Sequence, residues 1–314
     1  AACFISMSIG TSVGTIVALV PVAAGIAQEL AAAGAEGIAA SVPFITAIIV
    51  GGAFFGDNLS FISDTTIAAT RTQGCSMADK FKMNIRIAGP AALIVAVLYI
   101  FMGKSGAAIP ASAPIDWVLL IPYILVIVLA VSGIDVSVVL TIGLVVNAVI
   151  GFAGGGLTWS GYLESIGSGI SGMGDLIIVT MMAGGMLELI KANGGLDYIV
   201  GKLTKKINGR RGAEFSIAAL VSLANICTAN NTIAIITTGG IAKDITKKFG
   251  IDPRRSASIL DTFSCLVQGF LPYGAQLLMA SGLAGVTSIS IMGYLYYPFA
   301  LGAIAIIAIL IKRS

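Results

Sequence analysis

The chain alternates long apolar segments with short polar connections. Crossing the hydrocarbon part of a bilayer as a helix takes about 20 apolar residues. Segments that approach this length fall near 2–28, 38–55, 86–103, 115–133, 136–155, 174–191, 215–242, 257–284 and 287–311. The pattern predicts an all-α protein, folded as a polytopic transmembrane helical bundle.

Three of these segments contain polar runs that a continuous membrane helix would have to bury. Segment 2–28 contains GTSVGT, 215–242 contains TANNT, and 257–284 contains DTFS followed by QGFLPYG. Because polar groups inside a bilayer need partners, we expect discontinuous or re-entrant helices at these places. Basic residues flank 215–242 on both sides, so it either forms a re-entrant hairpin or lies beside a loop that breaks the positive-inside rule.

Two parts of the chain resemble each other weakly. The run SIGTSVGTI at 8–16 aligns with NICTANNTI at 225–233, and a later pairing of GDNLS with LDTFS aligns Asp57 with Asp261. Transporters are commonly built from inverted repeats whose broken helices meet near the membrane midplane, although chance could also produce this similarity. We predict an N-terminally incomplete first transmembrane repeat at 1–156 and a second at 157–314.

Composition agrees with a lipid environment. Hydrophobic residues make up 57% of the 314 residues, charged residues 11%, and the mean hydropathy is +1.00. The net charge of +3 does not suggest a nucleic-acid partner, and the four cysteines lack CxxC spacing, so we expect neither disulfides nor a zinc site. Histidine is absent, which makes carboxylates the expected proton carriers.

The acidic stretch GDNLSFISDTT at 56–66 is the strongest candidate for chemistry. Asp57 and Asp64 are seven residues apart and would share one helix face if the stretch were helical. A carboxylate in lipid is costly unless it is paired or binds a cation, so we expect these two acids to bind Na⁺. Neutral oxygens are available from Asn58, Ser60, Thr65 and Thr66. The alternative is that GDN ends one helix and Ser63 or Asp64 caps the next.

The other polar runs supply further candidates. Asn230, Asn231 and Thr232 lie where an open backbone could offer carbonyls to a cation or amide N–H groups to an anion, and the two Asn amides could bind the carboxylate of an organic solute. They could also simply form hydrogen bonds between helices. Thr11 and Thr15 support the same hypothesis more weakly, because Thr is an ordinary packing residue.

Asp261 and Ser264 are the candidates in the last polar run. Asp261 would either neutralise a cation or form a surface ion pair with Arg254 or Arg255. No surplus of Lys or Arg is expected within the membrane, because both residue types cluster in predicted loops.

The run GGAFFGDNLSFISDTT, together with ISMSIGTSVGTIVALVPVAAGIA, TANNTIAIITTGGIAKDI and DTFSCLVQGFLPYGAQLL, resembles the NhaC family of sodium/proton antiporters within the ion transporter superfamily. The resemblance implies a multi-helix inner-membrane carrier with a preceding N-terminal helical section, which we expect this chain to lack. It also implies that Asp57, Asn58, Ser60, Asp64, Thr65 and Thr66 belong to the substrate and ion site. Phe61 and Ile62 replace the Pro-Leu pair often found in the family motif.

The expected function is therefore secondary active transport in a bacterial inner membrane, exchanging Na⁺ for H⁺ across a multi-pass protein. The alternative is a Na⁺- or H⁺-coupled carrier of an organic solute such as an amino acid, a dicarboxylate or lactate. The expected partners are the lipid bilayer and a small cation or organic solute, with a homodimer as one assembly. We expect no cofactor and no enzymatic activity.

Two other classes of membrane protein are alternatives. An intramembrane aspartyl protease would need a Tyr-Asp pair to accompany the GMGD run at 172–175, and the sequence has none. A channel is the remaining class.

Overall fold

The computed structural model is helical throughout its regular part. It describes residues 1–32, 34, 37–61, 63–103, 118, 121–122, 124–125, 128–129, 136–172, 174–195, 198, 201 and 209–311. Within these ranges there is no strand. The prediction of an all-α bundle is confirmed.

The first group of helices extends to residue 102. It consists of α1 (Ala2–Ile9), α2 (Ser12–Ala32), a short 3-10 helix (Ile38–Ala40), α3 (Val42–Leu59), α4 (Asp64–Gln73) and α5 (Met77–Met102). The middle of the chain contains α6 (Val136–Ala153), α7 (Trp159–Gly172) and α8 (Gly174–Ala192). The last group consists of α9 (Gly209–Thr228), α10 (Asn231–Lys248), α11 (Pro253–Gln268), α12 (Ala275–Ala284), α13 (Ser288–Met292) and α14 (Tyr296–Ile311).

Two of the predicted interruptions are the tips of helical hairpins. Helix α1 folds back on α2, and α9 packs side by side with α10. The first tip turns at Gly10, whose φ of 77° is in the left-handed region that glycine adopts without steric cost. The second tip turns at Ala229 with φ 51°, followed by Asn230, whose side chain caps α10 by accepting from the Ile233 N–H. The stretch 215–242 therefore folds as part of a hairpin of two helices.

The other two interruptions are breaks between helices that contact each other little. Helix α3 ends at Leu59, and Ser63 caps α4 by accepting a hydrogen bond from the Thr66 N–H at 3.2 Å. The cap predicted as the structural alternative is therefore present. Helix α11 ends at Gln268, before Pro272, and α12 begins after Gly274.

The helices of the first and last groups interlock around α3 and α11. Hairpin α1–α2 packs on α3, and hairpin α9–α10 packs on α11. Each hairpin also contacts the short helix of the other group, α2 with α12 and α10 with α4, while α5 packs against α14. The four breaks are thereby brought together inside the molecule. The repeat boundary at 156 stays a prediction.

Small residues permit the closest of these helix contacts. A Cβ on Gly56 of α3 would lie 2.4 Å from the Ser6 Cβ of α1, and one on Gly239 of α10 would lie 2.5 Å from the Thr72 Cβ of α4. Real Cβ contacts are never that short, so only glycine lets these backbones approach.

Three helical stretches of the described residues are long and apolar enough to cross a membrane: Ser12–Ala32, Val42–Gln73 and Met77–Met102. The middle stretch includes the break between α3 and α4. Large apolar side chains point outward on the periphery, as lipid contact requires; examples are Leu93 of α5, Leu144 of α6 and Met181 of α8.

One sequence prediction, the apolar span at 115–133, concerns a part of the chain that is largely outside the described residues. The polar run DTFS at 261–264 lies within α11, and the break follows it at 269–274, within the QGFLPYG run that the sequence pattern predicted as an interruption of this segment. The helix continues because Thr262 and Ser264 donate their hydroxyls to carbonyls of their own helix.

Candidate functional site

A single chain of hydrogen bonds joins the four interruptions. Gln268 Nε2, at the end of α11, donates to the Ala229 carbonyl of the second hairpin tip at 3.0 Å and to Gln276 Oε1 of α12 at 2.7 Å. Gln276 Nε2 donates to Ser12 Oγ at 3.2 Å, and Ser12 Oγ donates to Asp57 Oδ2 at 2.9 Å. All five residues are buried. The interior of the bundle therefore contains one connected polar centre that ends on a carboxylate.

Asp57 lies in the last turn of α3, with 6% of its surface exposed. The chain reaches this position because Gly56 lets α1 approach α3, which brings the first hairpin tip and Ser12 alongside. The backbone carbonyl of Asp57 accepts from Ser63 Oγ at 2.8 Å, so the loop after the helix is held close to the acid.

The second buried carboxylate of this region is Asp261, in the middle of α11. Its Oδ2 atom is 2.7 Å from Lys80 Nζ and accepts from Asn84 Nδ2 at 2.7 Å. Lys80 and Asn84 also donate to the carbonyl of Asn58, at 2.8 and 3.1 Å. The two helices before the breaks are thus linked through polar side chains of α5.

The buried charges of this structure do not balance. Among the described residues, the buried acids are Asp57, Glu214 and Asp261, and the buried bases are Lys80 and Arg255. Lys80 pairs with Asp261, and Arg255 pairs with Glu214 at 3.0 Å. Asp57 is the remaining acid, and its side chain accepts from the neutral Ser12 hydroxyl. A buried carboxylate without a cationic partner needs a proton or an external cation.

Several side-chain amide oxygens near the breaks accept no hydrogen bond from the described residues. Asn84 Oδ1, Asn225 Oδ1 and Gln268 Oε1 are buried, and no group in the described part of the chain donates to them. Their amide nitrogens are occupied, Asn225 Nδ2 by the Ser264 carbonyl at 2.7 Å. Amide oxygens and carboxylates are suited to small hard cations. Among the described residues, no cluster of three His, Cys, Asp or Glu that would indicate a transition-metal site is found.

The candidates of the acidic stretch are divided by the break. Asp64 lies exposed in the first turn of α4, so it does not share a helix face with the buried Asp57. Thr66 Oγ1 accepts from Lys80 Nζ at 2.7 Å, and Thr65 Oγ1 lies 3.3 Å from Ser63 Oγ.

The remaining two candidates of this stretch bond to neighbouring helices. Asn58 Nδ2 donates to the Phe54 carbonyl and lies 3.1 Å from Cys265 Sγ, and Ser60 Oγ donates to the Met7 carbonyl at 3.0 Å. The stretch is therefore bound to both α1 and α11.

The candidates of the hairpin tips mainly stabilise the turns. Asn230 Oδ1 and Asn231 Oδ1 accept from the N–H groups of Ile233 and Thr232, at 3.1 Å each. Both amide oxygens thus cap the start of α10 locally. Thr15 Oγ1 donates to the Thr11 carbonyl one turn earlier, at 3.0 Å, and Ser264 Oγ likewise bonds within its own helix.

The structure excludes one of the two alternatives for Asp261. Asp261 does not form a surface pair with Arg254 or Arg255, because Arg254 binds Asp252 and Arg255 binds Glu214. The hydrogen bonds that the exposed Arg254 guanidinium donates to the Asp252 carboxylate raise its pKa.

The prediction of Lys80 as a loop residue was wrong, because it belongs to the interior and is 1% exposed. Its position in a basic loop cluster hid this role. The available signal was the spacing, since Lys80 and Asn84 continue the buried stripe formed by Ala88, Ala91 and Val95 on α5.

A comparison with protein-family models matches residues 1–104 and 110–312 to the Na⁺/H⁺ antiporter family. The chain belongs to this family. The sequence resemblance to NhaC proteins is thereby confirmed, and the family is one of membrane transporters, which is not an enzyme class.

Three curated relatives of the family are similar to the chain. The malate-2H⁺/Na⁺-lactate antiporter of Bacillus subtilis (strain 168) is 26% identical, covering 96% of this chain and 70% of the relative. The Na⁺/H⁺ antiporter NhaC of Alkalihalophilus pseudofirmus is 23% identical, over 80% of this chain and 61% of the relative. NhaC of Bacillus subtilis is 26% identical, over 98% and 73%. The chain therefore spans roughly two thirds of the length of these proteins.

Proposed function

We propose that the protein exchanges Na⁺ for H⁺ across a bacterial inner membrane as a multi-pass secondary transporter. The observation that supports this proposal most is the charge imbalance of the interior. Lys80 and Arg255 each pair with another acid, which leaves Asp57 as a buried carboxylate beside neutral oxygen donors.

Competition at Asp57 would couple the two ions. The carboxylate is neutralised either by a proton or by Na⁺, and both cannot occupy it together. Na⁺ affinity therefore falls as pH falls, because protonation removes the charge that binds the cation. The exposed Asp64 at the start of α4 would be the acid that an entering cation meets before Asp57.

Access to Asp57 would alternate through motion around the breaks. The two hairpin tips and two broken helices end on one hydrogen-bond chain, so a shift of either hairpin changes the surroundings of the carboxylate. Broken helices that meet at a central site are typical of secondary transporters.

Reconstituted proteoliposomes with an internal pH indicator test the proposal. An imposed Na⁺ gradient should move protons in the opposite direction, and Asp57→Asn should abolish this movement because the amide carries no charge. Asp64→Asn should weaken it. Asp244→Asn is the matched control, since Asp244 is an exposed acid on α10. Wild-type transport by the Asp57→Asn variant would refute the assignment.

A second candidate is Na⁺-coupled exchange of an organic anion. It is favoured by the similarity to the malate-2H⁺/Na⁺-lactate antiporter over 96% of the chain. Against it, the buried Lys80 and Arg255 are both neutralised by acids, which leaves no buried positive charge among the described residues for a carboxylate substrate. Counterflow of labelled lactate or malate would establish this candidate, and a pure cation exchanger would accumulate neither.

A further inference from the structure

Lys80 occupies a position that has the chemistry of a cation site. Its Nζ atom lies 2.8 Å from the Asn58 carbonyl oxygen, 2.7 Å from Thr66 Oγ1 and 2.7 Å from Asp261 Oδ2. Three oxygen acceptors match the three N–H donors of an ammonium group. A carbonyl, a hydroxyl and a carboxylate are also the oxygens that bind a small hard cation.

The residues around this ammonium come from both the first and the last group of helices. Asn58 is the last but one residue of α3 and Thr66 is in the first turn of α4, so these two residues flank one break. Asp261 belongs to α11, and Asn84 of α5 donates to both Asp261 Oδ2 and the Asn58 carbonyl. The side chain of Lys80 thus fills a space between two broken helices.

We infer that Lys80 is a built-in cation that sets the number of Na⁺ ions bound by each chain. Its ammonium occupies the position at Asp261, so an external cation can neutralise Asp57 only. This inference rests on the proposed function, which assigns Asp57 as the carboxylate that binds Na⁺. Each chain then exchanges one Na⁺ per cycle at this centre.

Removing the ammonium should convert its position into a second site. In Lys80→Met, Asp261 is left buried with the Asn58 carbonyl and the Thr66 hydroxyl around the vacated volume. Na⁺ can enter and replace the lost charge. Lys80→Arg changes the shape of the side chain but keeps a permanent positive charge, so Asp261 should stay neutralised by the chain itself.

Equilibrium binding of radioactive sodium to the purified protein in nanodiscs measures the number of sites. The wild type and Lys80→Arg should bind about one Na⁺ per chain with a Hill coefficient of about 1. Lys80→Met should bind about two, with a second dissociation constant. Lys80→Met/Asp261→Asn should return to one, because the second carboxylate is removed together with the ammonium.

Asp57→Asn separates this inference from the proposed function. Alone, this substitution should abolish Na⁺ binding, and a variant that still bound Na⁺ would refute the assignment of Asp57. Combined with Lys80→Met, it should bind one Na⁺ at Asp261. If Asp57→Asn abolishes binding and Lys80→Met still binds a single Na⁺, the proposed function stands and the role of Lys80 is refuted.

The wild-type count provides a test that needs no substitution. Two Na⁺ ions per wild-type chain would overturn the inference even if Lys80→Met did not fold. Lys80→Gln is the second variant for that case, since its amide can still donate to Asp261 while carrying no charge. A single Na⁺ bound by a folded Lys80→Gln chain would contradict the inference as well.

Discussion

The buried carboxylates of Asp57 and Asp261, both near the helix breaks, have different partners. Asp57 lies two residues before the end of its helix and accepts a hydrogen bond from a neutral hydroxyl. Asp261 lies two turns before the end of its helix and contacts an ammonium and an amide N–H. These two acids, which the sequence alignment pairs, thus have different electrical balances. Lys80 neutralises Asp261 within the chain, whereas none of the buried bases among the described residues pairs with Asp57.

The largest expected effect is the loss of the Lys80–Asp261 pair. Lys80→Met leaves a buried carboxylate without its partner, which should lower the free energy of unfolding by about 3–5 kcal/mol in the absence of Na⁺. Unfolding in mixed detergent micelles, followed by circular dichroism, measures this change.

Arg254→Met is the control for the Lys80 substitution. Its ion pair with Asp252 has a similar distance, 2.6 Å against 2.7 Å, but it is exposed to solvent. Stability close to wild type is expected for the control. Equal losses in the two variants would mean that burial does not distinguish the pairs.

A smaller effect is expected on the Asp57 side. Ser12→Ala removes the hydroxyl that donates to Asp57 and accepts from Gln276, so stability should fall by about 1.5–3 kcal/mol. Na⁺ affinity should change together with stability, because the same hydroxyl orients the carboxylate. Thermal unfolding across a series of Na⁺ concentrations measures both quantities.

Ser216→Ala is the matched control for the Ser12 substitution. Ser216 Oγ donates to the Gly212 carbonyl within its own helix, so its loss should change stability by less than about 0.5 kcal/mol. A Ser12→Ala variant with the stability and Na⁺ response of this control would show that the hydrogen-bond chain does not support Asp57.

The smallest effects are expected at the hairpin tips, which turn through different residues. Gly10→Ala should cost about 1–2 kcal/mol, because alanine is disfavoured at the φ of 77° found there. Ala229→Gly relieves the same strain at φ 51° in the second tip and should change stability by less than about 1 kcal/mol. The two substitutions should therefore have unequal effects when unfolding is measured. If Gly10→Ala has no cost, the first tip does not depend on a left-handed residue.

The position of the tips also limits the internal sequence similarity. The alignment pairs Thr11 with Thr228, whereas the left-handed turns occur at Gly10 and Ala229, which the alignment sets two residues apart. Alanine has no general preference for this conformation, so nothing in the local sequence marked Ala229 as the turn. Tertiary contacts, including the hydrogen bond from Gln268 to the Ala229 carbonyl, determine where the helix ends.

Much of the fold followed from the sequence alone. The apolar segments predicted the helices, and the polar runs within them predicted most interruptions, because polar groups inside a bilayer need partners. The acidic stretch predicted Asp57 as a buried polar residue for the same reason: a carboxylate in an apolar segment is conspicuous whatever surrounds it.

Only the tertiary structure decided which charges neutralise one another. Lys80 and Asp261 are far apart in the sequence. Asp261 had nearer basic residues in Arg254 and Arg255, and Lys80 lay in a basic cluster assigned to a loop. Pairing between buried charges depends on which helices pack together, and this in turn depends on close contacts such as Gly56 against Ser6. The sequence by itself therefore determined where polar groups interrupt the membrane helices, whereas the packing of α5 against α3 and α11 determined that Asp261 has a cation and Asp57 does not.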